Sequence, residues 1–199
     1  NVSATSGAVS IKVDETAKPT ISTGTTRTSD TNPTISGTAE ANSTINLISD
    51  EKWVMHYTSG VRWSRKSDGK LQSHYHVKSA QSNNPFDWRR DGSVAVDFDH
   101  GETNIARPSV IQWDEGGYGM WFSFVHSEIG KYRMGYAESQ DAYSWTRNDA
   151  LAGIDVGDDL ANEMICYPCV FRLSGNMYML YNGDNFGEQG FVLAKLDSI

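Results

Sequence analysis

The chain has 199 residues and a net charge of −8, with 17 Lys or Arg set against 25 Asp or Glu and no basic cluster. Phosphate backbones are held by a concentrated Lys/Arg face, so this balance argues against a nucleic-acid partner. No apolar run approaches the roughly 18 residues of a membrane span, and the first residues lack a signal peptide's charged and apolar regions, so no membrane partner is expected and the chain reads as a soluble, mature or excised piece.

Residues 1–49 hold 19 Ser or Thr and no aromatic, Met or Cys, whereas all six Trp and all six Met lie from Trp53 onward. That change sets a boundary near Ser49 or Asp50, dividing the chain into residues 1–49 and 50–199. Ala8–Val13 and Thr44–Ile48 alternate like strands, with Pro19, Gly24, Pro33 and Gly37 punctuating the rest. So few large apolar groups offset little chain entropy, and the segment reads as a thin β module or an extended linker.

From Asp50 the pattern is all-β. Expected strands are 53–57, 74–80, 94–98, 109–113, 118–123, 132–137, 170–173, 177–181 and 191–196, separated by Gly- and Asn-bearing turns such as SDGK, DEGG and LSGN. Landmarks recur along it. Trp53, Met55 and Tyr57 echo Tyr118, Met120 and Phe122; Tyr75 echoes Tyr132; Pro108 and Val110 echo Pro168 and Val170. The steps Ala80 to Ala137, Ala137 to Ala194 and Trp88 to Trp145 are all 57 residues. A period near fifty with several strands per copy is what a β-propeller blade produces. Most of Trp53, Trp88, Tyr118, Trp145 and Tyr178 are expected to fill the wedges between blades.

Cys166 and Cys169 stand alone in CYPC. Zinc needs more ligands than they supply, and buried structural thiols are expected. Asp97, Asp99, His100 and Glu102 form an acidic patch open to structural calcium, without the spacing of a Ca²⁺ loop; a solvated loop is the alternative, and no other cofactor is expected. The five His are dispersed.

Two resemblances add to this reading. AVSIKVDETAKPTIS followed by TSDTNPTISGTAEANSTI resembles the join between bacterial immunoglobulin-like repeats of large secreted adhesins, which implies a secreted or cell-surface location. IARPSVI with YGMWFS, YRMGYAESQDAYSW, then EMICYPCVF with MYMLYNGDNFGEQGF, resembles the last blades of the five-bladed β-propeller superfamily that includes the family 43, 62 and 32 glycoside hydrolases. The expected architecture is therefore a partial propeller of about three blades preceded by a short immunoglobulin-like β segment. Closure normally takes at least four blades, so a homo-oligomer that completes the ring is expected.

The second resemblance implies that residues ahead of each Pro-led strand line the axial pocket. These are Glu102, Asn104 and Arg107 before Pro108, and Glu163 and Tyr167 before Pro168, with Asn182 and Asp184 near the same mouth. Glycoside hydrolysis needs two carboxyl groups across the scissile bond. Glu102 and Glu163 are the candidate pair, with Asn104, Arg107, Tyr167, Asn182 and Asp184 placing the sugar in an acidic pocket. The alternatives are an ion-pair or turn role for these carboxylates, a non-catalytic carbohydrate-binding or adhesin module, and a self-assembling structural subunit.

Overall fold

The structure, a computed structural model, describes residues 20–21, 37–38, 43–47, 52–84, 86–157 and 160–196. Thr20–Ile21 (β1) and Gly37–Thr38 (β2) pair antiparallel, Thr20 opposite Thr38. Apart from these strands and Ser43–Leu47, the segment expected to be immunoglobulin-like, including Ala8–Val13, lies outside the described residues.

Three antiparallel units follow. In the first, Ser43–Leu47 (β3), Trp53–Arg65 (β4), Leu71–Ser82 (β5) and Val94–Val96 (β6) pair in order. Because β3 pairs with β4, this sheet begins on the N-terminal side of the compositional change at Ser49. The second unit is Glu102–Gln112 (β7), Tyr118–His126 (β8), Tyr132–Ser139 (β9) and Thr146–Arg147 (β10). The third is Cys166–Leu173 (β11), Asn176–Asn182 (β12) and Phe191–Leu196 (β13). Besides the strands there are only a 3₁₀ turn at Asp149–Leu151 and a short helical turn at Asp184–Gly187 among the described residues.

The units meet at their inner strands. A single parallel pairing, Tyr75 with Asn104, joins β5 to β7, so the first two units form one strongly curled sheet. Two buried serines of the second unit tie in the third: Ser109 Oγ accepts the Val170 N–H at 2.8 Å and Ser123 Oγ accepts the Tyr167 N–H at 2.7 Å. Between units one and two lie Val77, Val96, Ile105, Met120 and Phe122; between two and three lie Trp121, Tyr136, Ile165, Val170 and Met179. Covered on both faces, β8 is buried from Tyr118 through Ser123 instead of alternating. Each such side chain contributes roughly 1.5–3 kcal/mol by leaving water.

The sequence repeat is visible atom by atom. Tyr75 and Tyr132, 57 residues apart, meet hydroxyl to hydroxyl at 2.6 Å. In the loop after β5, Asn84 Oδ1 accepts the Phe86 and Asp87 N–H groups; at the matching place after β9, Asp141 Oδ1 accepts those of Tyr143 and Ser144. Those donors hold the Asp141 pKa at about 2, against the opposing effect of burial.

The expected core needs correction in two places. Trp53, Trp88, Trp145 and Tyr178 are only half-buried, and the three largest of the fully buried side chains are Trp121, Tyr136 and Phe122. The second strand of each unit is flanked on both sides, whereas residues at strand ends sit on the rim. Cys166 is buried, and burial pushes its thiol to about 12, but Cys169 is exposed; both are free.

Candidate functional site

Two matching backbone distortions build the site. In β7 the pairing with β8 slips between Ala106 and Ser109, and in β11 the pairing with β12 slips between Cys166 and Cys169. At each slip the residue before proline takes a left-handed backbone: φ is 56° at Arg107 and 60° at Tyr167. A residue preceding proline normally stays extended, and a left-handed L-residue costs about 1–2 kcal/mol. Strain repeated at equivalent positions of successive units points to a functional use, here turning both side chains off the sheet face.

A cavity of about 510 Å³ opens there. Arg107 and Tyr167 line it with Tyr75 and Tyr132, and β4 and β5 supply a wall through Thr58, Arg62, Trp63 and His74. The wall exists because the β4–β5 hairpin runs past the core: β4 is buried from Val54 to Tyr57 and exposed from Gly60 to Arg65, with its own slip between Gly60 and Arg62.

Aromatic rings form the floor. Tyr132 packs against Tyr167 with ring centres 5.6 Å apart, Phe186 stacks on Tyr167 at 6.0 Å, and the Arg107 guanidinium lies 5.1 Å above the Tyr167 ring. Burial, then the hydrogen bond with Tyr75, raises the Tyr132 pKa; burial also raises that of Tyr167. Both phenols are neutral donors at physiological pH. The charge of the lining is positive, since neither Arg62 nor Arg107 has an ion-pair partner among the described residues and no carboxylate lines the cavity. Burial and the nearby Arg62 lower the His74 pKa, keeping that ring neutral. The lining is thus cationic and aromatic where the sequence led to an acidic pocket.

The sequence-expected residues divide into three groups. Arg107 and Tyr167 reach the cavity. Asn104, Asn182 and Asp184 stand behind its wall and floor. Asn104 is buried and pins the hairpin, donating to the Ser73 carbonyl at 3.1 Å and accepting from Gln72 Nε2 at 3.1 Å. Asn182 donates to the Phe186 carbonyl at 2.9 Å, fixing the turn that presents Phe186 to Tyr167. Asp184 accepts the backbone N–H groups of Glu163, Met164 and Asn162, which lower its pKa and order the approach to β11. Gly183 makes this crossing feasible, because a Cβ there would lie 1.8 Å from the Leu160 carbonyl oxygen.

The two candidate catalytic carboxylates are not brought together at the cavity. Glu102 is buried and gripped by Arg147, Nη1 to Oε2 at 2.7 Å and Nη2 to Oε1 at 2.6 Å, while Oε2 also accepts the Asp99 N–H. Asp149 binds the other side of the same guanidinium, which lies against the rings of Phe122 and Phe124. Burial pulls the Arg147 pKa down, but Glu102 and Asp149 outweigh it and the net shift is upward. Glu163 is two-thirds exposed, 3.2 Å from Lys131 Nζ. Asp97 of the acidic patch pairs with His76 at 2.8 Å, and no group of three or more His, Cys, Asp or Glu is arranged to hold a metal ion among the described residues.

Sequence reading missed Arg62, Trp63 and His74 as lining, and took Tyr75 and Tyr132 only as repeat landmarks. The signal for the tyrosines was present in their 57-residue step, since repeated positions near the axis converge.

No family model matches the chain. It is 36% identical over 146 residues to the uncharacterized proteins MT1551 and Rv1502 of Mycobacterium tuberculosis strains CDC 1551 and H37Rv, a match covering 72% of this chain and 46% of each relative. The chain thus spans about half the length of the curated relatives it matches. Among solved structures it is similar to a glycoside hydrolase (TM-score 0.54, 20% identity, 74% of this chain and 42% of the other). It is similar also to the Bombyx mori GH32 beta-fructofuranosidase BmSUC1 (0.55, 16%, 76% and 33%). A thermostable family-43 glycoside hydrolase gives 0.51 at 18% identity, over 76% of this chain and 48% of the other. At these identities the likeness defines a fold: a nearly all-β, partial propeller-like fold of the glycoside hydrolase type.

Proposed function

We propose that this chain is a carbohydrate-active protein that binds a saccharide in the cavity between its three units. The observation that carries the reading is the pair of strained pre-proline residues, Arg107 and Tyr167, turned into one cavity over a floor of tyrosines. Sugar rings present flat C–H faces to aromatic side chains and hydroxyls to neutral phenols and guanidinium groups, and this lining offers all three. The glycoside hydrolase-like fold supports the same class of ligand. A carboxylate-free lining favours recognition over hydrolysis as this chain's own contribution.

A glycan array probed with the labelled chain tests the reading. Binding that is lost in Tyr167→Ala, with the fold retained, is the expected result, and no binding to any saccharide overturns it. Turnover of aryl glycosides is the parallel arm for the carboxyl pair. Release of the aryl alcohol that disappears in Glu102→Gln or Glu163→Gln would make the protein a hydrolase.

Self-association and a secreted or cell-surface location belong to the same proposal. Leu173, Phe191 and Leu193 of the third unit are more than half exposed, on a sheet whose last strand, β13, pairs only with β12 among the described residues. Apolar groups beside an open strand edge favour a second copy. Light scattering that gives a monomer at all concentrations rejects that part.

A further inference from the structure

We infer that the saccharide bound in this cavity carries an oxyanion, a carboxylate or a phosphate, held by Arg62 and Arg107. The inference rests on the saccharide reading above and adds the chemical class of the ligand.

Its first support is the charge of the lining. Both arginines line the cavity, one on the β4 arm and one at the β7 bulge, and neither has an ion-pair partner among the described residues. Of the acidic groups nearby, Asp97 lies outside the lining, its carboxyl hydrogen-bonded to His76 and within electrostatic reach of Arg62, and Glu102, five residues before Arg107, is closed off by Arg147. In a protein of net charge −8, a cavity lined by two arginines without ion-pair partners among the described residues, and by no carboxylate, is a local reversal of sign.

The second support is how the two groups are presented. Arg62 lies over the Phe98 ring at 5.8 Å and Arg107 over Tyr167 at 5.1 Å, so each planar fork rests on an aromatic face. A guanidinium stacked in this way keeps its N–H edge free for bidentate contact with a carboxylate or phosphate.

Calorimetric titration of the chain with D-glucose, D-glucuronate and D-glucose 6-phosphate, and with the galactose series, tests the inference. Acetate and inorganic phosphate serve as sugar-free anions. The expected result is at least about tenfold tighter binding of one acidic sugar over its neutral parent, weakening as salt is raised. The tighter of the uronate and the phosphate identifies the oxyanion. In Arg62→Gln/Arg107→Gln the acidic-to-neutral ratio should fall to about one, while Arg107→Lys, which keeps charge without the fork, should give an intermediate ratio. Both side chains are exposed, and an unchanged circular dichroism spectrum shows that the variants fold. Equal affinity for neutral and acidic sugars overturns the oxyanion inference and leaves the saccharide reading standing. Acetate or phosphate binding as tightly as the acidic sugars, with no neutral sugar bound, overturns the saccharide reading. Silence from every probe overturns both.

Discussion

The two ends of β7 carry opposite charges with opposite fates. At its start Glu102 is buried and met by a bidentate guanidinium; five residues on, Arg107 is exposed, stacked on a ring and without an ion-pair partner among the described residues. The first arrangement satisfies every charge and fixes how Thr146–Arg147 and the Asp149 turn pack on the second unit. The second leaves charge unspent and stores backbone strain. A charged residue's role therefore follows from its partners: the strand is tied down at one end and holds a strained, unpaired cation at the cavity at the other.

That contrast can be broken from either end. Replacing Glu102 with Ala leaves the half-buried Arg147 with Asp149 as its remaining carboxylate partner, and a loss of about 3 kcal/mol is expected in urea unfolding. A loss below about 1 kcal/mol would place Glu102 in a different role from the one its contacts describe.

Acid should act on a neighbouring seam. His56 is fully buried, and burial lowers its pKa from 6.5 to about 4 despite the opposing hydrogen bond to the Ala142 carbonyl. The unfolded chain therefore binds this proton first as pH falls. The stability this ring contributes is complete above about 6.5 and is lost progressively down to about 4, on the order of 3 kcal/mol. A His56→Gln variant whose melting temperature follows the wild-type pH dependence across that window would show that another group is responsible.

Ser123→Ala removes the acceptor for the Tyr167 N–H at a fully buried position. About 1–2 kcal/mol should be lost, together with saccharide binding, because the same bond sets where Tyr167 stands. Unchanged binding in a destabilised variant separates the stitch from the site.

The smallest effect has the opposite sign. Glycine accepts a left-handed backbone without steric cost, so Arg107→Gly should raise stability by up to about 1 kcal/mol while abolishing recognition of an acidic sugar. A destabilised Arg107→Gly would show that the cation–π contact with Tyr167 outweighs the backbone strain.

The sheet units were legible because strand alternation and the 57-residue step are local and repeated. Their ends were not. β7 was expected from Ser109 and starts at Glu102, since Pro108 reads as a strand's first residue yet sits in a slip that lets pairing continue through it. Arg107 and Tyr167 could be found through their shared place before proline. Glu102's role could not, because its partner lies 45 residues away with no pattern joining the two. The arm was half-visible: Trp53 to Tyr118 is a step of 65 residues where Tyr75 to Tyr132 is 57, and the extra eight residues are the overhang that carries Arg62 and Trp63.

That overhang makes one jaw of the cavity a projecting arm. Arg62 rides on it past the Gly60 slip, Asn104 of β7 holds it on one side through Gln72 and Ser73, and Arg107 stands on β7 itself. A guest gripped by both would brace the arm from its free side, and the amides of Lys66 to Leu71, well beyond any direct contact, would exchange with solvent more slowly when the cavity is filled.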